Sequence, residues 1–207
     1  MGSLQTLSGI LGLSFVSGVN LYATILTVGL GLRYGWIHGL PDELNILAHP
    51  VVLIVAGVFY AAEFIADKVP FFTPIWDAVH TVIRPLGAAA LALGAASDMS
   101  PMMKIVATLV GGSVALGTHS TKMGVRLMAH AVPEPVTHSV ISIAEDVGVV
   151  SLAALAMTHP MIALPIVVVL LIVVVFLLRM VFRALTAAAR RAARWFSFNP
   201  NLRNQQP

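Results

Sequence analysis

Glu63, Asp67, Lys68, Asp77, His80 and Arg84 crowd one stretch of the chain, with the apolar runs VVLIVAGVFYAA before it and LGAAALALGAA after. Carboxylates, an imidazole and a guanidinium held together can bind a cation, relay a proton or receive an anion. An ion at the bilayer centre costs at least a few kcal/mol, so such groups face a protein interior or a water-filled cavity. Asp77, His80 and Arg84 are spaced three and four apart, which puts them on one face of a helix. Downstream, His138, Ser142 and Glu145 lie on one helical face with Asp146 beside them, and His119, Lys122 and Arg126 form a third group. The first apolar run carries Ser17, Asn20, Tyr22 and Thr24 at the equivalent place.

These groups define the candidate site. Asn20, Glu63, Asp67, Asp77, His80, Arg84, Lys122, Arg126, Glu145 and Asp146 are expected to hold an ion or a small polar or anionic solute. Asp77, His80, His119, His138 and Glu145 are also the nitrogen and oxygen donors that suit a divalent Zn, Mn or Fe ion, although no HExxH or H-x-x-x-H signature occurs. Two plainer readings compete. Asp77, His80 and Arg84 can be the wet face of an interfacial helix. Alternatively, Asp77 with Arg84 and Glu145 with Lys122 or Arg126 can be buried ion pairs that fix helix register.

The elements that position these residues follow from composition. Of 207 residues, 58% are hydrophobic and 10% charged, with a mean hydropathy of +0.91. A soluble domain carries about a quarter charged residues, so the expected class is an all-α integral membrane protein. No cysteine is present, which excludes thiolate metal sites, disulfides and cysteine nucleophiles. The N-terminus lacks the basic region and small-residue cleavage site of a signal peptide and reads as part of the fold. The pI near 9.7 comes from arginines clustered after Leu178, which membrane topology explains better than nucleic-acid binding. The chain divides into a helical membrane domain, 1–186, and a basic tail, 187–207.

Apolar runs long enough for a hydrocarbon core of about 30 Å place six segments near Ser8–Leu32, Pro50–Ala66, Ile75–Ala96, Met103–Thr118, Val136–Met157 and Pro160–Leu178. Breaks are expected at Ser17-Gly18, Pro85 and Gly111-Gly112. An even count and the arginine-rich tail put both termini on the cytoplasmic side of a bacterial inner membrane. LGAAALALGAA near Gly87 and VGVVSLAALAM near Gly148 each precede a short proline-containing loop and a long apolar helix. The pattern suggests three tandem hairpins starting near Ser17, Trp76 and His138, a repeat architecture common among transporters. The polar faces of such hairpins would converge on one interior cluster.

The blocks ADKVPFFTPIWDAVHTVIRP, HSTKMGVRLMAHAVPEP and SIAEDVG resemble the bacterial membrane family catalogued as domain of unknown function number 4126. The resemblance runs from SGVNLYAT to the last apolar run, and the chain departs from it at Thr137-His138. It implies a membrane protein and no particular activity. The functional expectation is a small transporter or channel, with the bilayer and a small ion or solute as partners and no nucleic acid. A metal-dependent enzyme acting on a lipid headgroup and a structural or partner subunit are the alternatives, and Gly-rich faces suit a homo-oligomer.

Overall fold

A computed structural model describes residues 3–67, 72–129 and 135–198, and the side chains of all these except 3, 129, 135–141, 192 and 195–198. The elements are α1 Ser3–Val19, α2 Leu21–Arg33, a short 3-10 helix Asp42–Ala48, α3 Pro50–Ala66, α4 Thr73–Ala95, α5 Pro101–Ala129, α6 Pro135–Thr158 and α7 Pro160–Phe198. No strand occurs among the described residues. Three helices, α4, α5 and α7, are long and apolar enough to cross a membrane, and the bent pair of the 3-10 helix and α3 makes a fourth if counted as one. Six such segments were expected. The run Ser8–Leu32 resolves into two shorter helices, and α6 carries Glu145 and Asp146 within its length.

The helix break falls at Asn20 rather than at Ser17-Gly18. Asn20 has extended backbone angles, φ −151° and ψ 101°, and its side-chain oxygen accepts from the Ala23 amide, so it ends α1 and caps α2. Asparagine is favoured at such a cap because its oxygen satisfies an amide that has no partner inside the helix.

The neighbours of α1 and α2 show that the chain turns back at this break. The first turns of α1, Gln5 to Ile10, lie beside Asp98, Met99 and Met157, while Gly18 lies against Ala115 and Thr118 of α5. Leu21, at the start of α2, packs on Gly87 in the middle of α4. Gly29, near its end, packs on Leu47 and Leu53, and Leu44 in turn touches Gly94. Thus α1 enters the bundle from one end and α2 returns to that same end. The pairs α2/α3, α4/α5 and α6/α7 then alternate in direction, with Val174 and Leu178 beside Gly117 and Val181 beside Gly124 as α7 runs along α5. Ser3 and Phe198 therefore lie at opposite ends of the bundle.

Among the described elements α1 is the innermost. Ile10, Leu13, Ser14, Val16 and Ser17 are all buried, and a helix buried all round belongs in the core. In lipid, close packing of small residues replaces the hydrophobic drive between helices. Gly12 faces Ala156, Gly18 faces the Ala115 backbone, and Gly111 faces Ala92 and the Ser14 hydroxyl. By contrast α3 exposes Val51, Ile54, Val55, Val58, Phe59 and Ile65 and buries Glu63 at 0% exposure. It is a lipid-facing helix that sends one acid inward.

A side chain at Gly18 would bring its Cβ within 2.5 Å of the Ala115 carbonyl oxygen, whereas Gly57 and Gly148 face open space. Gly18→Val should lower stability by about 1–3 kcal/mol through overpacking. Gly57→Ala should be neutral or stabilising by up to about 1 kcal/mol from helix propensity. Thermal unfolding in detergent distinguishes the two, and equal effects at both positions would contradict this packing.

Candidate functional site

The break leaves α1 with backbone carbonyls that have no helical partner. Arg84 Nη1 donates to the Gly18 carbonyl at 3.1 Å, and Lys122 Nζ donates to the Val19 carbonyl at 3.0 Å. Two cations thus cap the negative end of a helix dipole inside the bundle. Opposite them, Asn20 Nδ2 donates to Asp146 Oδ1 at 3.0 Å, which sets a carboxylate near the positive start of α2. One asparagine side chain therefore caps α2 and ties it to α6.

The cations have carboxylate partners of their own. Arg84 Nη2 donates to Glu63 Oε1 at 2.7 Å, with both side chains at 1% exposure or less. Arg126 grips Asp67 with both terminal nitrogens, at 2.8 and 2.6 Å. It also approaches Glu145 Oε2 at 3.4 Å and Asp77 Oδ1 at 3.7 Å. Lys122 reaches Glu145 Oε2 at 3.0 Å and Glu63 Oε1 at 3.7 Å. Asp67 stands just past the end of α3. Burial pushes its carboxyl up, but the Arg126 hydrogen bonds and the charges of Lys122, Arg126 and Arg84 outweigh this and hold it below the usual range.

Both described histidines of the site are fixed by their neighbours. His80 Nδ1 lies 2.7 Å from the Trp76 carbonyl, which can only accept, so Nδ1 carries a proton, and Nε2 pairs with Tyr22 Oη at 2.9 Å. His119 Nε2 donates to the Asp77 carbonyl at 3.1 Å, and its Nδ1 accepts from Arg84 Nη1 at 2.8 Å. The His119 imidazole is neutral, because Arg84 can only donate to its Nδ1, and the ring nitrogens of both histidines are engaged.

The structure joins Glu63, Asp67, Asp77, Arg84, Lys122, Arg126 and Glu145 in one ion-pair network, while Asn20 with Asp146 and His80 with Tyr22 form two smaller hydrogen-bonded groups. Two expectations change. Arg84 pairs with Glu63, not with Asp77, because α3 delivers its acid to the middle of α4 while Asp77 faces Arg126. The metal set Asp77, His80, His119, His138 and Glu145 does not assemble, since no three acidic or histidine side chains converge on an ion position among the described residues. The engaged ring nitrogens of His80 and His119 are the reason, and the His138 side chain lies outside the described residues. The interfacial reading of α4 also fails, with Asp77, His80 and Arg84 at 5%, 1% and 0% exposure.

Sequence reasoning passed over Tyr60, whose hydroxyl donates to Asp146 Oδ2 at 3.1 Å. Its spacing from Glu63 and Asp67, three then four residues, was the available signal. The backbone carbonyls of Gly18 and Val19 had no side-chain signal to give. At the far end of α1 a separate cavity of about 520 Å³ is lined by Gln5, Thr6, Met99, Met157 and a single ionisable residue, Asp98.

A family model described as domain of unknown function DUF4126 matches residues 7–180, more than half of the chain. No curated protein and no solved structure matches.

Removing one partner of a buried ion pair strands the other, at roughly 3–5 kcal/mol. Glu63→Gln should therefore cost stability on that scale, since Arg84 and Lys122 stay buried. Glu145 is 25% exposed on its side chain and shares its cations with Asp67. Glu145→Gln should cost less than about 1 kcal/mol. Denaturant or thermal unfolding of both variants reads the difference, and a reversed order would contradict the network.

Proposed function

We propose that the chain, which belongs to the DUF4126 family, is a small transporter that moves an ion or small polar solute through the charged network. The observation that carries this reading is the helix break at Asn20, whose two half-helix ends meet buried ionised side chains. Discontinuous helices are the recurring substrate and ion sites of secondary transporters. Their carbonyl ends attract cations and their amide ends attract anions.

The topology that fits this reading has five crossings, α3 to α7, and a re-entrant pair, α1 and α2. Arg126 and the arginines of the final helix gather at the end of the bundle where the network lies, against Arg33 and Lys104 at the other. The excess of positive charge makes the network end cytoplasmic. The network then opens toward the cytoplasm of a bacterial inner membrane, and the cavity beside Asp98 opens on the opposite face. Arg84 is the middle residue of 73–95, so passage from one mouth to the other must go past the Arg84–Glu63 pair and the end of α1.

Two measurements test this. Reporter fusions should place the N-terminus outside and the C-terminus inside, and equal reporter signal at both ends would sink the topology. In proteoliposomes, gradients of inorganic cations and of small organic anions should produce flux with the wild-type chain and little with Glu145→Gln, a variant expected to stay folded. Flux equal to that of empty liposomes across both classes would defeat the transport reading.

A further inference from the structure

We propose that one face of α7 is a binding site for an anionic phospholipid, with an acyl chain along Val168, Ile172, Val175 and Phe176 and the phosphate on Arg179 and Arg183. The helix is continuous from Pro160 to Phe198, and its first nineteen residues, up to Leu178, carry no charge. At 1.5 Å per residue they cover about 28 Å, close to the thickness of a hydrocarbon core. Arg179 therefore stands where the hydrocarbon ends. Arg183, one turn on, stands about 6 Å further, within the headgroup layer.

Packing fixes which way this face points. Val174 and Leu178 approach Gly117 of α5, and Val181 packs on Gly124, so the opposite side of α7 is turned away from the bundle. On that side Val168, Ile172, Val175, Phe176 and Arg179 line, with Leu171, an open groove of about 460 Å³. The groove is apolar along its length and ends in a guanidinium. At about 100° per residue, Arg183, Arg190 and Arg194 fall within about 60° of Arg179, so a basic stripe continues the apolar one on the same face.

Apolar first and basic next is the order of a phospholipid, chain and then phosphate. Two observations select an anionic one. From Pro160 to Phe198 the helix contains no Asp or Glu, so nothing on it would receive the ammonium of a zwitterionic headgroup. Arg179 and Arg183 are both exposed and four residues apart, where like charges repel. A phosphate between them relieves that repulsion and offers its oxygens to two guanidinium forks. Arg190 and Arg194 continue the stripe but stand roughly 16 to 23 Å past Arg179, beyond a headgroup layer of about 5–8 Å. They add to the attraction of an anionic surface without touching the bound lipid. The inference rests on the crossing of α7 and not on the transport reading.

The test uses the purified full chain in detergent, titrated with phosphatidylglycerol or with phosphatidylcholine of the same acyl chains. Phosphatidylglycerol should raise Tm saturably and be retained in native mass spectra, and phosphatidylcholine should do neither. Arg179→Gln with Arg183→Gln should lose most of the rise and lower retention severalfold. Arg190→Gln with Arg191→Gln, which removes the same charge further along the helix, should keep both. Ile172→Trp, which fills the groove and leaves the arginines in place, should also weaken retention severalfold. Inorganic phosphate at equal concentration should have no effect, because the groove holds the chain. An equal response to the two lipids, an equal loss from the two arginine pairs, or a rise with phosphate alone overturns the site. If the Arg179 and Arg183 variant does not fold, the wild-type lipid comparison and Ile172→Trp decide, and retention unchanged by Ile172→Trp overturns it. Selective lipid binding without flux in proteoliposomes would remove the transport reading and leave this site standing, and flux without selective binding would do the reverse.

Discussion

Two backbone carbonyls, those of Gly18 and Val19, set the terms for the rest of the fold. They end a helix inside the bundle, and a buried polar group left unsatisfied there costs several kcal/mol. Arg84 and Lys122 meet them. Buried cations in turn require carboxylates, which fixes Glu63 of α3, Asp67 just beyond it and Glu145 of α6 around the same point. One helix break therefore dictates where four other segments place their charges.

The same break explains why the charges lie where they do along the stripe that α4 buries. Thr73, Asp77, His80 and Arg84 form the lower half of that stripe, and Ala88, Leu91, Ala92 and Ala95 the upper half. Beside the upper half α1 is an intact helix with no free backbone group, so small apolar residues allow close approach. Beside the lower half α1 has ended, and the space holds side chains that can hydrogen-bond. Polar and apolar halves of one helical face thus mirror the broken and unbroken lengths of its neighbour.

The two histidines serve the site as spacers that link helices through both ring nitrogens. His119 takes the Arg84 guanidinium on one nitrogen and holds the Asp77 carbonyl with the other, so α5 fixes the arginine that caps α1. His80 links α4 to Tyr22 of α2 in the same manner. The neutral His119 ring lets two cations and several acids lie close together without adding a further charge to be balanced. The consequence is a site rich in imidazole that offers no free pair of nitrogens to a metal.

The all-helical membrane class, the family and the polar faces were legible in the sequence. These depend on composition and on three- and four-residue spacing, which are local properties. Asp77, His80 and Arg84 share a helical face whatever else the chain does, and an ionised face between apolar runs must find an interior. Pairing was not legible, because Glu63 and Asp77 are both acids within reach of Arg84 in sequence and only the packing of α3 on α4 selects between them. The turn at Asn20 was hidden for a stronger reason. A single asparagine in an apolar run long enough to span can be carried within a helix, and whether it breaks that helix depends on distant partners for the freed backbone groups. Arg84, Lys122 and Asp146 supply those partners from α4, α5 and α6, so the direction in which the first apolar run continues after Asn20 was decided by tertiary structure alone.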